Sequence, residues 1–142
     1  MGTLPAMEID FSKLNDLYFG TITSRLLMTA IDMKIFDYLE EPVSSDNAAR
    51  AIGSHPCNTA LALDALCAGG LVEKENGLYR NSRLAGDFLV CGKPAYLGEW
   101  LKQADEATRP FLDKLEDYIR SGPGTPPEEE SMNGEAYCER YR

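Results

Sequence analysis

The stretch LDALCAGGLVEKENGLYRNS, residues 63–82, decides the fold of this 142-residue chain. Gly69-Gly70 closes a helical pattern rich in leucine and alanine. Beyond it, Leu71–Lys74 and Leu78–Asn81 flank Glu75-Asn76-Gly77, and Asn-Gly is the preferred pair for a tight hairpin turn. The stretch therefore predicts a helix followed by a two-stranded wing.

Three helical patterns precede this wing. The first runs from Phe11 to Ile31, the second from a cap at Ser44 or Ser45 to Gly53, and the third begins at Pro56–Asn58. The third helix is predicted to bury Leu61, Leu63 in part, Ala65, Leu66 and Ala68. Three helices followed by a two-stranded wing is the element order of a winged helix.

Shorter helical patterns follow the wing. One covers Ser82 to Val90, one surrounds Trp100, and the last has Thr108 as its cap and Pro110 in its first turn. The residues predicted to face inward from the first of these are Leu84, Phe88 and Leu89.

These patterns divide the chain into two parts. Residues 10–121 are predicted to form a mainly α, winged-helix-like domain with a two-stranded β-hairpin wing and extra N- and C-terminal helices. Residues 122–142 form a linker rich in proline, glycine and glutamate, followed by the start of a truncated segment.

The first helix carries more apolar surface than one small domain covers. Its first half has an apolar stripe at helical spacing, and its second half is apolar all round. The stripe is Leu14, Leu17, Tyr18 and Ile22, and the all-round segment is Leu26, Leu27, Met28, Ala30 and Ile31. The pattern favours a partner subunit as the cover. The alternative is the central core helix of a monomer.

The charge pattern argues against nucleic acid and anionic membranes as partners. The net charge is −9, and the third helix, Asn58 to Gly69, holds no lysine or arginine and one charged residue, Asp64. In the wing, Lys74 and Arg80 are offset by Glu73 and Glu75. DNA recognition relies on cations facing phosphates and bases, so the wing is interpreted as structural. A winged-helix transcriptional regulator with an atypical, non-basic recognition helix remains the alternative.

Catalytic and metal-binding motifs are missing from the sequence. It has no phosphate-binding glycine loop, no nucleophile elbow and no Cys-x-x-Cys pair for a metal. The single histidine, His55, lies two residues before Cys57, and this pair is the one candidate for nucleophilic catalysis. We predict no catalytic residue and no metal site. The four cysteines are predicted to be reduced thiols in a cytoplasmic protein without a signal peptide or a membrane span.

Residues 63–82 resemble a segment shared by class I S-adenosylmethionine-dependent O-methyltransferases that have an N-terminal dimerisation domain. Ala30–Leu39 is similar to the stretch of that family with a Phe-Asp-x-Leu pattern, and Ser44–Gly53 to its capped second helix, although Ala48 stands where leucine is usual. Tyr96-Leu97-Gly98 and the helix around Trp100 also fit. The resemblance covers roughly residues 10 to 122.

The resemblance implies a homodimer whose N-terminal helices interlock. It places the cofactor and the catalytic base in a C-terminal Rossmann-like domain, and no position of this chain matches those motifs. We therefore predict no cofactor-binding residue here, and S-adenosylmethionine in the full-length parent. The parent is predicted to methylate a small hydroxylated molecule, with its catalytic domain absent from this chain, which alone is not catalytic.

Two sets of residues are proposed on this basis. The predicted dimer interface is Leu14, Leu17, Tyr18, Leu26, Leu27, Met28 and Ile31. The predicted lining of the substrate pocket, for which simple core packing is the competing interpretation, is Tyr18, Phe19, Ile22 and Met28. A small ligand-binding or protein-interaction module unrelated to methyl transfer is a third hypothesis.

Overall fold

A computed structural model describes residues 10–122 of the chain. The predicted linker beyond Gly122 and the N-terminal residues before Asp10 lie outside this range. The elements in chain order are α1 (Ser12–Asp32), a 3₁₀ helix (Ile35–Tyr38), β1 (Val43–Ser44), α2 (Ser45–Ile52), α3 (Pro56–Ala68), β2 (Val72–Glu75), β3 (Leu78–Asn81), α4 (Arg83–Phe88), α5 (Gly98–Asp113) and α6 (Leu115–Ser121). The prediction of a mainly α, winged-helix-like domain is confirmed.

The wing forms around the Asn-Gly turn, as predicted. Asn76 and Gly77 both adopt positive φ, 52° and 76°, which is the backbone of a primed hairpin turn. The sheet nevertheless has three strands in the order β1-β3-β2, all antiparallel, because Val43 pairs with Tyr79 on the free edge of β3. Two residues are too few to show alternation, so the sequence pattern did not reveal β1.

Local capping fixes α2 and α3. The Ser44 hydroxyl accepts a hydrogen bond from the Asn47 amide at 3.2 Å, and Gly53 ends α2 in the left-handed conformation. α3 begins at Pro56, where the missing amide proton costs nothing. These boundaries agree with the predicted ones.

The core lies between α1, the 3₁₀ helix, α3 and the wing. Its largest fully buried side chains are Phe36, Leu39, Leu63 and Leu66. Asn81 joins the wing to the 3₁₀ segment, since its side-chain amide donates to the Phe36 carbonyl and its backbone amide donates to the Leu39 carbonyl, each at 2.8 Å.

Two predicted inward faces were only partly right. In α3, Leu63 and Leu66 are buried as predicted, together with Thr59, whereas Leu61, Ala65 and Ala68 are exposed. In α4 the buried residue is Ala85, and Leu84 and Phe88 are exposed while Leu89, just beyond the helix, is buried. Both helices carry small apolar residues on several sides, so the phase of the helix was not determined by the sequence.

The last helices also begin and end elsewhere than predicted. Thr108 is not a cap, because its hydroxyl donates to the Ala104 carbonyl within α5, which continues through Pro110 to Asp113. The described chain forms two compact units, one up to Lys102 and one from Gln103. In the second unit the rings of Phe111 and Tyr118 lie 5.8 Å apart. The boundary at residues 121 and 122 stays a prediction.

Candidate functional site

The first half of α1 projects apolar side chains that nothing in the described chain covers. Residues 12–25 are all exposed, and we call this part of α1 the arm. Five large apolar side chains on the arm, together with Phe11 just before it, are 51% to 69% exposed. The five are Leu14, Leu17, Tyr18, Phe19 and Ile22. The Tyr18 and Phe19 rings meet edge-to-face at 5.3 Å. An uncovered apolar surface of this kind marks an interaction site.

The second half of α1 belongs to the domain itself. Ala30 and Ile31 are buried in the core, and the partly buried Leu26, Leu27 and Met28 pack against it. Ile31, which the predicted interface includes, is only 4% exposed in the single chain and so has little surface to offer a partner. The domain thus covers much of the segment that is apolar all round, Leu26 to Ile31, and the uncovered surface lies one to five turns earlier in α1.

An apolar groove opens beside the base of the arm. It has a volume of about 270 Å³. Its walls are apolar side chains from α1, the start of the wing, α4 and the segment leading into α5, namely Leu27, Leu71, Leu84, Phe88, Leu89, Leu97 and Leu101. Leu84 and Phe88, which were predicted to point into the core, therefore line this groove instead.

The loop between α4 and α5 holds one side of the groove in place. The Leu97 amide donates to the Phe88 carbonyl at 2.8 Å, and the Cys91 amide donates to Asp37 Oδ1 at 2.9 Å. Burial, together with a hydrogen bond to Cys91, raises the pKa of Tyr96 to about 12, so this phenol stays neutral at physiological pH. These contacts are structural.

The wing's two cations are occupied by carboxylates of the same chain. Lys74 Nζ donates to Asp64 Oδ1 at 2.9 Å and lies 4.9 Å from the centre of the Tyr79 ring. The Tyr79 hydroxyl donates to the same oxygen at 2.7 Å. Arg80 pairs with Glu73 at 2.9 Å. The surface that reads DNA in other winged helices therefore presents paired charges and no free cationic stripe among these residues.

Asp64 links α3 to the wing in a pH-dependent way. Hydrogen bonds from Lys74 and then from Tyr79 lower the pKa of its carboxyl. A lowered folded-state pKa contributes stability above the unfolded-state value, near pH 4, that is lost as pH falls through the folded-state value.

We therefore expect Asp64→Asn to lower the urea midpoint of the chain at pH 6, and to lower it less at pH 2.5, because the Asp64 carboxyl takes up its proton as pH falls. The measurement is urea unfolding followed by far-ultraviolet circular dichroism at the two pH values. An equal difference at both would show that the charge of Asp64 plays no part.

His55, one half of the candidate pair with Cys57, has a structural role. His55 is the N-cap of α3, and its Nδ1 accepts from the Asn58 amide at 3.4 Å. Cys57, Cys67 and Cys91 are free thiols, and the fourth cysteine, Cys138, lies outside the described residues. Between residues 10 and 122 no group of three or more histidine, cysteine, aspartate or glutamate side chains could hold a metal ion. In the same range no helix has the length and hydropathy required to cross a bilayer.

Comparison with known proteins identifies the family to which this chain belongs. The model of the O-methyltransferase dimerisation domain matches residues 15–90, which include most of the arm, the wing and α4. The chain is 33% identical over 115 residues to the tetracenomycin polyketide synthesis 8-O-methyl transferase TcmO of Streptomyces glaucescens, covering 80% of this chain and 33% of that protein. It is 36% identical over 123 residues to the acetylserotonin O-methyltransferase of Mus musculus, covering 81% and 32%.

A solved structure agrees with these sequence relatives. Human N-acetylserotonin methyltransferase in complex with SAM superimposes with a TM-score of 0.75 at 27% identity, covering 92% of this chain and 41% of that one. The chain thus spans about a third of the length of the curated relatives it matches. None of these matches is a transcriptional regulator. Since the family model matches more than half of the sequence, the chain belongs to the O-methyltransferase dimerisation domain family.

Proposed function

We propose that this chain is the module that pairs two subunits of an S-adenosylmethionine-dependent O-methyltransferase, and that the arm of α1 makes the contact. The uncovered apolar side chains of the arm carry this proposal. An isolated helix of this length is marginal in water, so the arm gains its stability by burying these side chains against another surface. A second copy of the chain supplies an equivalent surface under two-fold symmetry.

The proposed interface follows the exposure of each side chain. Leu14, Leu17 and Tyr18 lie fully on the arm, whereas Leu26, Leu27 and Met28 are partly buried and would contribute their remaining surface. A backbone that is already helical loses little further entropy on association, so the cost of ordering is limited to the side chains. The arm therefore supplies most of the contact in this proposal, with the partly buried residues at its base.

Part of the arm would also face the methyl acceptor. Tyr18, Phe19 and Ile22 are exposed on the arm and Met28 is half-buried at its base, so these four side chains are available to an apolar ligand. The names of the relatives, an acetylserotonin and a polyketide O-methyltransferase, support a small hydroxylated acceptor. S-adenosylmethionine would bind elsewhere in the parent enzyme. The domain's contribution is to orient the acceptor beside the methyl donor.

Sedimentation of the 142-residue chain tests the pairing. We expect a species of twice the 15.7 kDa mass of one chain, in a reversible equilibrium that shifts with concentration. A single species of 15.7 kDa at the highest accessible concentration would overturn the proposal. A shift assay with duplex DNA at low salt is the control, and tight, salt-sensitive binding there would favour a regulator instead.

The reading frame downstream of Arg142 tests the parent activity. A glycine-rich strand, loop and helix followed by an acidic residue is the expected dinucleotide-type pattern. A frame that continues without any such pattern would contradict a fused methyltransferase domain.

A further inference from the structure

Gly20 lies in the middle of the arm, and no contact within the described chain explains why this position is glycine. Glycine weakens the interior of a helix relative to alanine, and it is usually retained where φ is positive or where a neighbour leaves no room for a Cβ. Gly20 is not among the residues with positive φ, and a Cβ built on it meets nothing within 4 Å.

The other helical glycines provide the contrast. A Cβ on Gly98 would overlap the ring of Tyr96, so a larger residue there would require the Tyr96 side chain to move. A Cβ on Gly86 would make an ordinary contact with Asn81 Cβ at 3.9 Å. Among the three helical glycines of the described residues, Gly20 alone has open space where its Cβ would lie. If glycine is needed at position 20, the neighbour that requires it lies outside residues 10–122.

The face of α1 that contains Gly20 leads into the apolar groove. Leu27 lies seven residues further on, and therefore on the same side of the helix, and it forms one wall of the groove. Thr23 lies between them, and its methyl group is 3.5 Å from a Cβ placed on Gly69 at the end of α3. The domain thus comes close to this face at Thr23, which is still exposed, and leaves it open at Gly20, one turn earlier.

We infer that Gly20 is the point at which α1 of a second copy approaches most closely. This rests on the proposed pairing through the arm. A two-fold axis beside Gly20 would bring the same residue of both helices together, and two glycines permit a backbone separation that larger side chains prevent. The family model that matches residues 15–90 includes Gly20, and the exposed Leu17 beside it provides apolar surface at the crossing.

A substitution at Gly20 is expected to change the stability of the helix and the stability of the dimer in opposite directions. Alanine strengthens the helix of the arm, yet its methyl group would occupy the space between the two backbones. We expect Gly20→Ala to raise the dissociation constant of the dimer about 10-fold and Gly20→Leu to raise it further. Far-ultraviolet circular dichroism is expected to show undiminished helix in both variants. Sedimentation equilibrium of the 142-residue chain gives the dissociation constants.

Gly86→Ala is the matched control, since it adds the same methyl group inside α4, where there is room for it. It is expected to leave the dissociation constant unchanged. If the wild-type chain is a dimer and Gly20→Ala pairs equally or more tightly, the close approach at Gly20 is refuted while the pairing itself stands. If the wild-type chain is a monomer, the pairing fails as well. A lower unfolding temperature in Gly20→Ala with an unchanged dissociation constant would place a segment of the same chain over Gly20, and would also refute the inference.

Discussion

Phe36→Ala is expected to remove most of the stability of the domain. Phe36 is 1% exposed and belongs to the buried core, where its 3₁₀ helix packs against α1 and α2. Truncating a buried phenylalanine costs about 3–5 kcal/mol, which is a large share of the roughly 5–15 kcal/mol that holds a typical domain folded. Urea unfolding followed by far-ultraviolet circular dichroism, at one fixed protein concentration, measures the loss.

Tyr38→Ala is the control for this substitution. Tyr38 lies in the same 3₁₀ helix and is 44% exposed, so its removal is expected to cost less than about 1 kcal/mol. Similar losses in the two variants would mean that the 3₁₀ segment does not organise the core in the way its burial indicates.

Leu14→Glu and Leu17→Glu are each expected to weaken the dimer by at least about 100-fold, because a charge placed in a desolvated apolar contact loses its hydration without gaining a partner. Both leucines are on the arm, and both are more than two-thirds exposed in the single chain, so neither variant should disturb folding of the domain. Sedimentation velocity across a range of concentrations separates dimer from monomer.

Leu61→Glu is the control that this structure offers. Leu61 on α3 is 68% exposed, as is Leu17, so the same substitution is made at the same exposure on a different surface. The dimer is expected to persist in Leu61→Glu. If Leu61→Glu dissociates the dimer while Leu14→Glu and Leu17→Glu do not, the interface lies on α3 and not on the arm.

The features that could be predicted from the sequence are those encoded by neighbouring residues. The turn at Asn76-Gly77 and the caps of α2 at Ser44 and Gly53 depend on local backbone preferences, and they were placed correctly. The fold class followed from the order of these elements.

The features that were missed depend on contacts between distant residues. β1 exists because the edge of β3 is free, and the phase of α3 is set by packing against α1 and the wing, although Leu61 and Leu63 are equivalent in hydropathy. The apolar stripe on the first half of α1 could be predicted from its spacing. The point at which α1 becomes covered could not, because it depends on how far the rest of the domain extends along the helix. The predicted interface and pocket residues stay predictions.

The continuity of α1 has a mechanical consequence. A single helix of 21 residues, about 30 Å long, carries the arm at one end and contributes Ala30 and Ile31 to the core at the other. No proline interrupts this helix. In the proposed pairing, a partner that tilts the arm would therefore also move the side chains at its buried end. Assembly of the dimer and packing of each core would then be coupled through α1.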